Sequence, residues 1–232
     1  MGSTEGCERM IPLQFALRRR MMMSGGGGAP ISELPLGTLI NVGTDGGVGA
    51  PNYEIADKDN LVSGGVVLVR KDIYSLTAYD TVYHWSYVDS NLDNLISVTI
   101  AGRLPSKLQN CLMDVTIKFY NEDKITRKMF APTVTMLGVD ISSIKYNEGK
   151  PLQFYNSSER RIKKYNNSPD WWWSSSKNDA DRSYVLCILE DGTHSWNIDY
   201  KYNVGVVPAF VIPSDTPYNA TPNTDGSYNL IL

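Results

Sequence analysis

Three consecutive tryptophans, Trp171-Trp172-Trp173, followed by Ser174-Ser175-Ser176, constrain this chain more than any other stretch. Indole rings are costly to leave in water, so at least some of the three belong to a core. The segment reads as a strand over 172–175. Alternate residues of a strand face opposite sides. Either Trp172 is core with Trp171 and Trp173 on the other side, or the reverse holds, and an outward ring is free to stack on a ligand.

The chain has 232 residues, 42% hydrophobic and 20% charged, enough for one domain with appendages around a real core. A net charge of −3 argues against a nucleic-acid binder. Fourteen Tyr and five Trp against five Phe favour aromatics that reach water with one end. Cys7, Cys111 and Cys187 are odd in number and lack CxxC spacing, which disfavours a disulfide framework or zinc site. Cys111 and Cys187 read as small buried hydrophobes, and the chain as one made in a reducing compartment. No apolar run approaches the roughly 20 residues that span a bilayer. The apolar stretch Ile11–Leu17 precedes Arg18-Arg19-Arg20 rather than following it, the wrong order for a secretory signal. If the protein acts outside a cell, it is expected to leave without such a signal, for instance on a particle released by lysis.

Residues 1–29 read as a tail with a Gly-rich linker (SGGGGA, 24–29), 30–213 as the globular domain and 214–232 as a C-terminal extension. The part at 11–23 is open between a short helix that leans on a partner and a basic tail without fixed structure. Strands are expected at 36–42, 53–56, 66–69, 115–119, 172–175, 184–189, 204–212 and 227–232. Two short helices are expected at 91–98 and 107–113, where Leu92, Leu95, Ile96 and Leu108, Cys111, Leu112 recur at helical spacing. Ala131–Gly138 reads as a short helix or turn, and 157–165 (SSERRIKKY) as a Ser-capped polar helix.

The run from Thr193 to Asn203 is built almost wholly of residues that bind things. It contains His194, Trp196, Asn197, Asp199, Tyr200, Tyr202 and Asn203. Aromatics with polar tips stack, amides hydrogen-bond, and binding surfaces use this set. The bland alternative is an ordinary polar hairpin with Tyr covering the edge of the core. Asn178 and Asp181, with Asp179 and Arg182, precede it in a loop that can share the surface. Asp57-Lys58-Asp59-Asn60 has oxygen ligands at calcium-loop spacing but no downstream bidentate Glu, and reads as a solvated turn. Arg160, Arg161, Lys163 and Lys164 read as a solvated helix face rather than a nucleic-acid site. With two histidines, His84 and His194, no nucleophile arrangement stands out, and no catalytic residue, metal or cofactor is expected.

Several motifs then coincide in one order. They run from Ala56-Asp57-Lys58-Asp59 and Val67-Leu68-Val69-Arg70-Lys71-Asp72-Ile73 through Ser90-Asn91-Leu92 and Lys128-Met129-Phe130-Ala131-Pro132 to Leu137-Gly138. They continue with Glu148-Gly149, Phe154-Tyr155, Arg160-Arg161-Ile162, Trp172-Trp173, Tyr184-Val185, Asp191-Gly192 and Gly205-Val206-Val207-Pro208-Ala209-Phe210. Over about residues 30–213 the chain resembles a large family from Gram-positive gut bacteria and their phages, with a WWLRS motif, a variable Tyr-rich segment and then GVRPA. Here Trp173-Ser174-Ser175 departs from the first motif, and Val207 stands where the second has Arg, so apolar packing is expected to hold that strand. The resemblance implies an α+β, C-type-lectin-like fold of the formylglycine-generating-enzyme type. It implies little activity, since those enzymes use a pair of reactive cysteines and Cys187 stands alone in its strand. Ile11–Arg20 looks like the leader of phage-encoded members, an anchor through residues 10–23 to a virion or cell surface. Related folds are targets of diversity-generating retroelements, which enrich Asn, Tyr, Ser, Asp and Thr near the C-terminus, and 193–203 has that composition.

The expected function is recognition: a non-enzymatic protein on a phage or prophage virion, tail or head, or on a bacterial surface. It would bind a cell-surface protein or glycan receptor through 193–203, with no nucleic-acid or membrane partner and trimerisation by analogy only. The alternatives are a structural virion decoration protein and, far behind, an enzyme of the formylglycine-generating type.

Overall fold

In the computed structural model the residues described are 28–82, 86–119, 124–139, 148–177 and 184–232. The expected tail 1–23, most of the linker, His84, Asn178 and Asp181 lie outside them. No helix among the described residues is long and apolar enough to cross a membrane.

The fold is α+β, mostly strands with a few short helices. Along the chain come β1 (Ala29–Pro30), β2 (Leu39–Asn41), β3 (Asn52–Lys58), β4 (Gly65–Arg70) and β5 (Leu76–Thr77). The helical part follows as α1 (Asn91–Asn94), a π-helical stretch Leu95–Ile100, α2 (Ala101–Arg103) and α3 (Ser106–Cys111). The Ser90 side chain accepts the Asp93 backbone N–H and starts α1. Next are β6 (Val115–Lys118), β7 (Lys124–Arg127) and β8 (Met129–Phe130), then β9 (Lys163–Tyr165), β10 (Ser168–Asp170) and β11 (Trp172–Lys177). The last are β12 (Tyr184–Ile188), β13 (His194–Asp199), β14 (Val204–Gly205), β15 (Ala209–Pro213), β16 (Pro217–Tyr218) and β17 (Tyr228–Asn229).

Two sheets carry the core. One has the order β17-β2-β3-β4-β15-β8 and the other β13-β12-β11-β14-β5. β11 is the middle strand of its sheet, so both its edges are paired, and its residues 172–176 are buried in succession, so both its faces are covered as well. Trp172 and Trp173 are both buried, and the expected choice between them dissolves. Each indole N–H finds a carbonyl, Trp172 Nε1 donating to Arg161 O and Trp173 Nε1 to Thr77 O, both at 2.9 Å. Trp171 is the outward ring, 37% exposed, and donates to the Glu190 carboxylate.

Three expectations change. The single strand over 204–212 is two, β14 and β15, in different sheets. Pro208 has no N–H for a ladder, and the chain crosses at 206–208, where Tyr74 N bonds Val206 O (2.8 Å) and Arg70 N bonds Pro208 O (3.0 Å). Val207 is buried there, so the crossing is packed apolar. The polar helix over 157–165 is one 3-10 turn, Glu159–Arg161, followed by β9. Lys163 turns inward to meet Glu54, and burial of that pair overrides helix propensity. Asp57 is not in a solvated turn: its carboxylate is buried and accepts the Leu61 (2.8 Å) and Gln153 (3.3 Å) backbone N–H groups.

The stretch 214–232 adds β17, parallel to β2, and β16, antiparallel to β1. Asn52 Nδ2 donates to Asp225 at 2.8 Å and joins this stretch to β3.

Candidate functional site

The segment 193–203 is an edge strand of the described sheet followed by a tight turn, rather than the loop its composition predicts. β13 pairs only with β12 among the described strands. The register runs Tyr184↔Asp199, Val185↔Ile198, Cys187↔Ser195 and Ile188↔His194. Three steps of β13 from Ser195 to Ile198 face two of β12, so a bulge falls at 196–197. Bulges re-aim side chains and interrupt edge pairing.

Both ends of β13 are fixed. At the start, the Asp191 carboxylate accepts from Thr193 N (2.9 Å) and Thr193 Oγ1 (2.6 Å), bonds that hold its acid well ionised. Gly192 has φ +78°, and a Cβ there would lie 1.9 Å from Ser158 O, so only glycine fits. Arg161 Nε donates to Gly192 O (2.9 Å) and its Nη1 to Leu137 O (3.1 Å), pinning the turn to the core. At the far end, Asp80 N bonds Tyr200 O at 3.2 Å, and the Asp199 carboxylate accepts Lys201 N at 2.9 Å.

Between these anchors the expected binding residues divide. Ile198 is buried and Tyr200 only 8% exposed, so Tyr200 is a core ring and not a ligand platform. His194 and Trp196 are half-buried and meet edge to face, centroids 6.4 Å apart. Trp196 also packs against the buried Val134–Leu186 cluster, as does Val139. Asp199 is half-buried, while Lys201, Tyr202 and Asn203 are exposed, Tyr202 at 63%. Asn197 contributes its backbone to β13. Asn178 and Asp181 lie outside the described residues, so their place beside this surface is not part of the geometry.

Arg161 was not a site expectation, and no local signal marks it. Its guanidinium is spent on main-chain carbonyls, and burial pulls its pKa down. Arg161 is half-buried and Lys163 buried, so these two form a structural clamp, while Arg160 and Lys164 stay exposed as a solvated face. Cys187 is buried and its thiol is pushed up to about 12 by burial, so it is protonated at neutral pH and not a nucleophile. Among the described residues no three His, Cys, Asp or Glu side chains are grouped to hold a metal.

Burial and then the Arg161 charge lower the pKa of His194 from 6.5. A group that binds its proton less readily when folded stabilises the fold above its unfolded pKa and loses that stability as pH falls through the folded one. Thermal melts should therefore decline as pH drops below about 6.5, the ordinary His value, and His194→Gln should flatten that decline. The lowered carboxylates Asp191 and Asp225 act further down, Asp225 near 2. An unchanged slope in the variant would remove His194 as the cause.

A family model described as "Domain of unknown function (DUF6273)" matches residues 63–214. No curated protein and no solved structure matches the chain.

Proposed function

We propose, for a chain that belongs to the DUF6273 family of domains of unknown function, a role in recognition. It is a non-enzymatic receptor-binding protein with a C-type-lectin-like arrangement of its α+β fold. It is displayed on a phage or prophage virion or on a bacterial surface, and held there through residues 10–23.

The observation that carries this reading is the mounting of the polar and aromatic segment. An edge strand clamped at both ends presents the His194–Trp196 pair, and the turn after it presents Lys201, Tyr202 and Asn203 to solvent. A rigid frame with amphipathic rings costs little entropy on binding. Tyr200 leaves the proposed surface because it is buried. The exposed Tyr202 ring is the anchor proposed to stack on a sugar or fill a groove, with Asn203 hydrogen-bonding beside it. Several copies on one particle, as a trimer or array, would turn weak single contacts into avidity.

Binding of the purified protein to candidate host cells tests this. A Trp196→Ala/Tyr202→Ala variant should bind about thirtyfold more weakly, matching loss of about 2 kcal/mol at a hot spot. Circular dichroism and a melt should show that it stays folded. Equal binding by parent and variant would move the site off this strand. No binding to any cell by either would favour the structural, decorating role.

A further inference from the structure

Glu54, Lys163 and Tyr155 meet in the interior, where Lys163 and Tyr155 are fully buried and Glu54 nearly so. Lys163 Nζ lies 2.5 Å from Glu54 Oε2. The Tyr155 hydroxyl donates to the same oxygen at 3.1 Å and accepts from Lys163 Nζ at 3.0 Å. The other carboxylate oxygen, Oε1, faces Lys71 Nζ at 2.9 Å, a lysine that reaches the surface. An amine, a carboxyl, a bridging phenol and a second cation thus sit in one water-poor cluster.

We propose that Lys163 and Glu54 join in an intramolecular isopeptide bond, made by the folded chain itself, which ties β9 covalently to β3. Lys163 first passes a proton to Glu54 Oε2, giving a neutral amine and a carboxylic acid. Nζ attacks Glu54 Cδ, the new N–C bond forms, and negative charge gathers on Oε1 opposite the Lys71 ammonium. A proton leaves Nζ to the Tyr155 oxygen as the phenol gives its own to Oε2. The Cδ–Oε2 bond breaks and Oε2 departs as water. One water is released, no oxidant or activating group is consumed, and Tyr155 and Lys71 end as they began.

Two physical terms favour the product. A buried ion pair carries a desolvation cost that a neutral amide does not. Groups held in contact react with effective molarities of about 10⁵–10⁸ M, enough to reverse the preference for hydrolysis that free amines and acids show in water. Burial lowers the Lys163 pKa, which raises the share of neutral amine, while at Glu54 the charges of Lys163 and Lys71 outweigh burial and hold the carboxyl low, so contact geometry rather than acidity drives the step.

The intact mass of the denatured full-length protein, after overnight incubation at neutral pH, tests this. The expected result is a chain lighter than its sequence by one water, with a branched tryptic peptide joining the Glu54 and Lys163 segments in tandem mass spectra. Tyr155→Phe keeps the pair and removes the relay, so it should fold and remain largely at full mass. Lys163→Met should show no loss of water. A parent at its full sequence mass overturns the proposal, as does water loss mapped elsewhere, for instance to a succinimide at Asp191-Gly192. A Tyr155→Phe chain as fully cross-linked as the parent overturns the relay. None of these outcomes depends on whether the protein binds cells.

Discussion

Trp173→Ala should lower the melting temperature by about 6–20 °C, while Trp171→Ala, one turn of the pleat away, should leave it nearly unchanged. Trp173 is fully buried in the middle strand of its sheet, edge-on to Tyr79 with centroids 5.7 Å apart. Truncating such a ring costs about 3–5 kcal/mol through lost transfer energy and the cavity left behind. For a domain of this size each kcal/mol moves the melt by about 2–4 °C. The Thr77 carbonyl also loses its indole donor. Trp173→Phe refills part of the volume but removes the indole donor to that carbonyl, so its melt should fall between the two. Trp171 has its ring 37% exposed and only a surface carboxylate to lose. Calorimetry of the three variants decides the matter: equal losses at 171 and 173 would mean that the central position of β11 is wrong.

The Trp triplet shows what the sequence made legible. Its neighbourhood, the Val66–Val69 run and the Leu92/Ile96 and Leu108/Leu112 spacings announce strands and helices, because hydrophobic periodicity is local. What failed was non-local. Lys163 reads as a surface lysine of a charged helix because nothing within several residues reveals Glu54, more than a hundred positions away. Val204–Ile212 reads as one strand because apolar runs do not say to which sheet they belong, although Pro208 marks the crossing. In the candidate site, residue type predicted Trp196 and Tyr202 as available rings but placed Tyr200 with them. Alternation would put Ile198, Tyr200 and Tyr202 on one face, but β13 ends at Asp199, and the turn closed by Tyr202 N on Asp199 O keeps Tyr200 inward and sends Tyr202 out. Arg161 and the contact of Gly192 with Ser158, which hold the edge strand, are tertiary facts with no sequence signature beyond the Asp191-Gly192 turn.

Arg70→Met should cost stability on the scale of about 3–5 kcal/mol, and Asp45→Asn placed on top of it should return part of that loss. Arg70 is fully buried at the end of β4, and its Nε donates to Asp45 Oδ2 at 2.6 Å. It also donates to the carbonyls of Asp72 and Val48 at 2.9 Å each. Asp45 in turn accepts the Tyr53 hydroxyl at 3.1 Å and the Gly47 N–H at 2.9 Å. Removing the guanidinium strands a carboxylate out of water with only neutral donors, and the penalty for that uncompensated charge exceeds the net worth of the original pair. The amide in Asp45→Asn carries no charge, keeps its oxygen as the acceptor for Gly47 N–H and turns its NH2 to the Tyr53 hydroxyl, which can accept, so the second substitution should relieve the first. Asp45→Asn alone instead leaves Arg70 buried and charged, and should destabilise. Urea titrations of the two single variants and the double form a cycle. A double variant less stable than either single would show that the orphaned carbonyls of Val48 and Asp72, rather than the buried charge, set the cost.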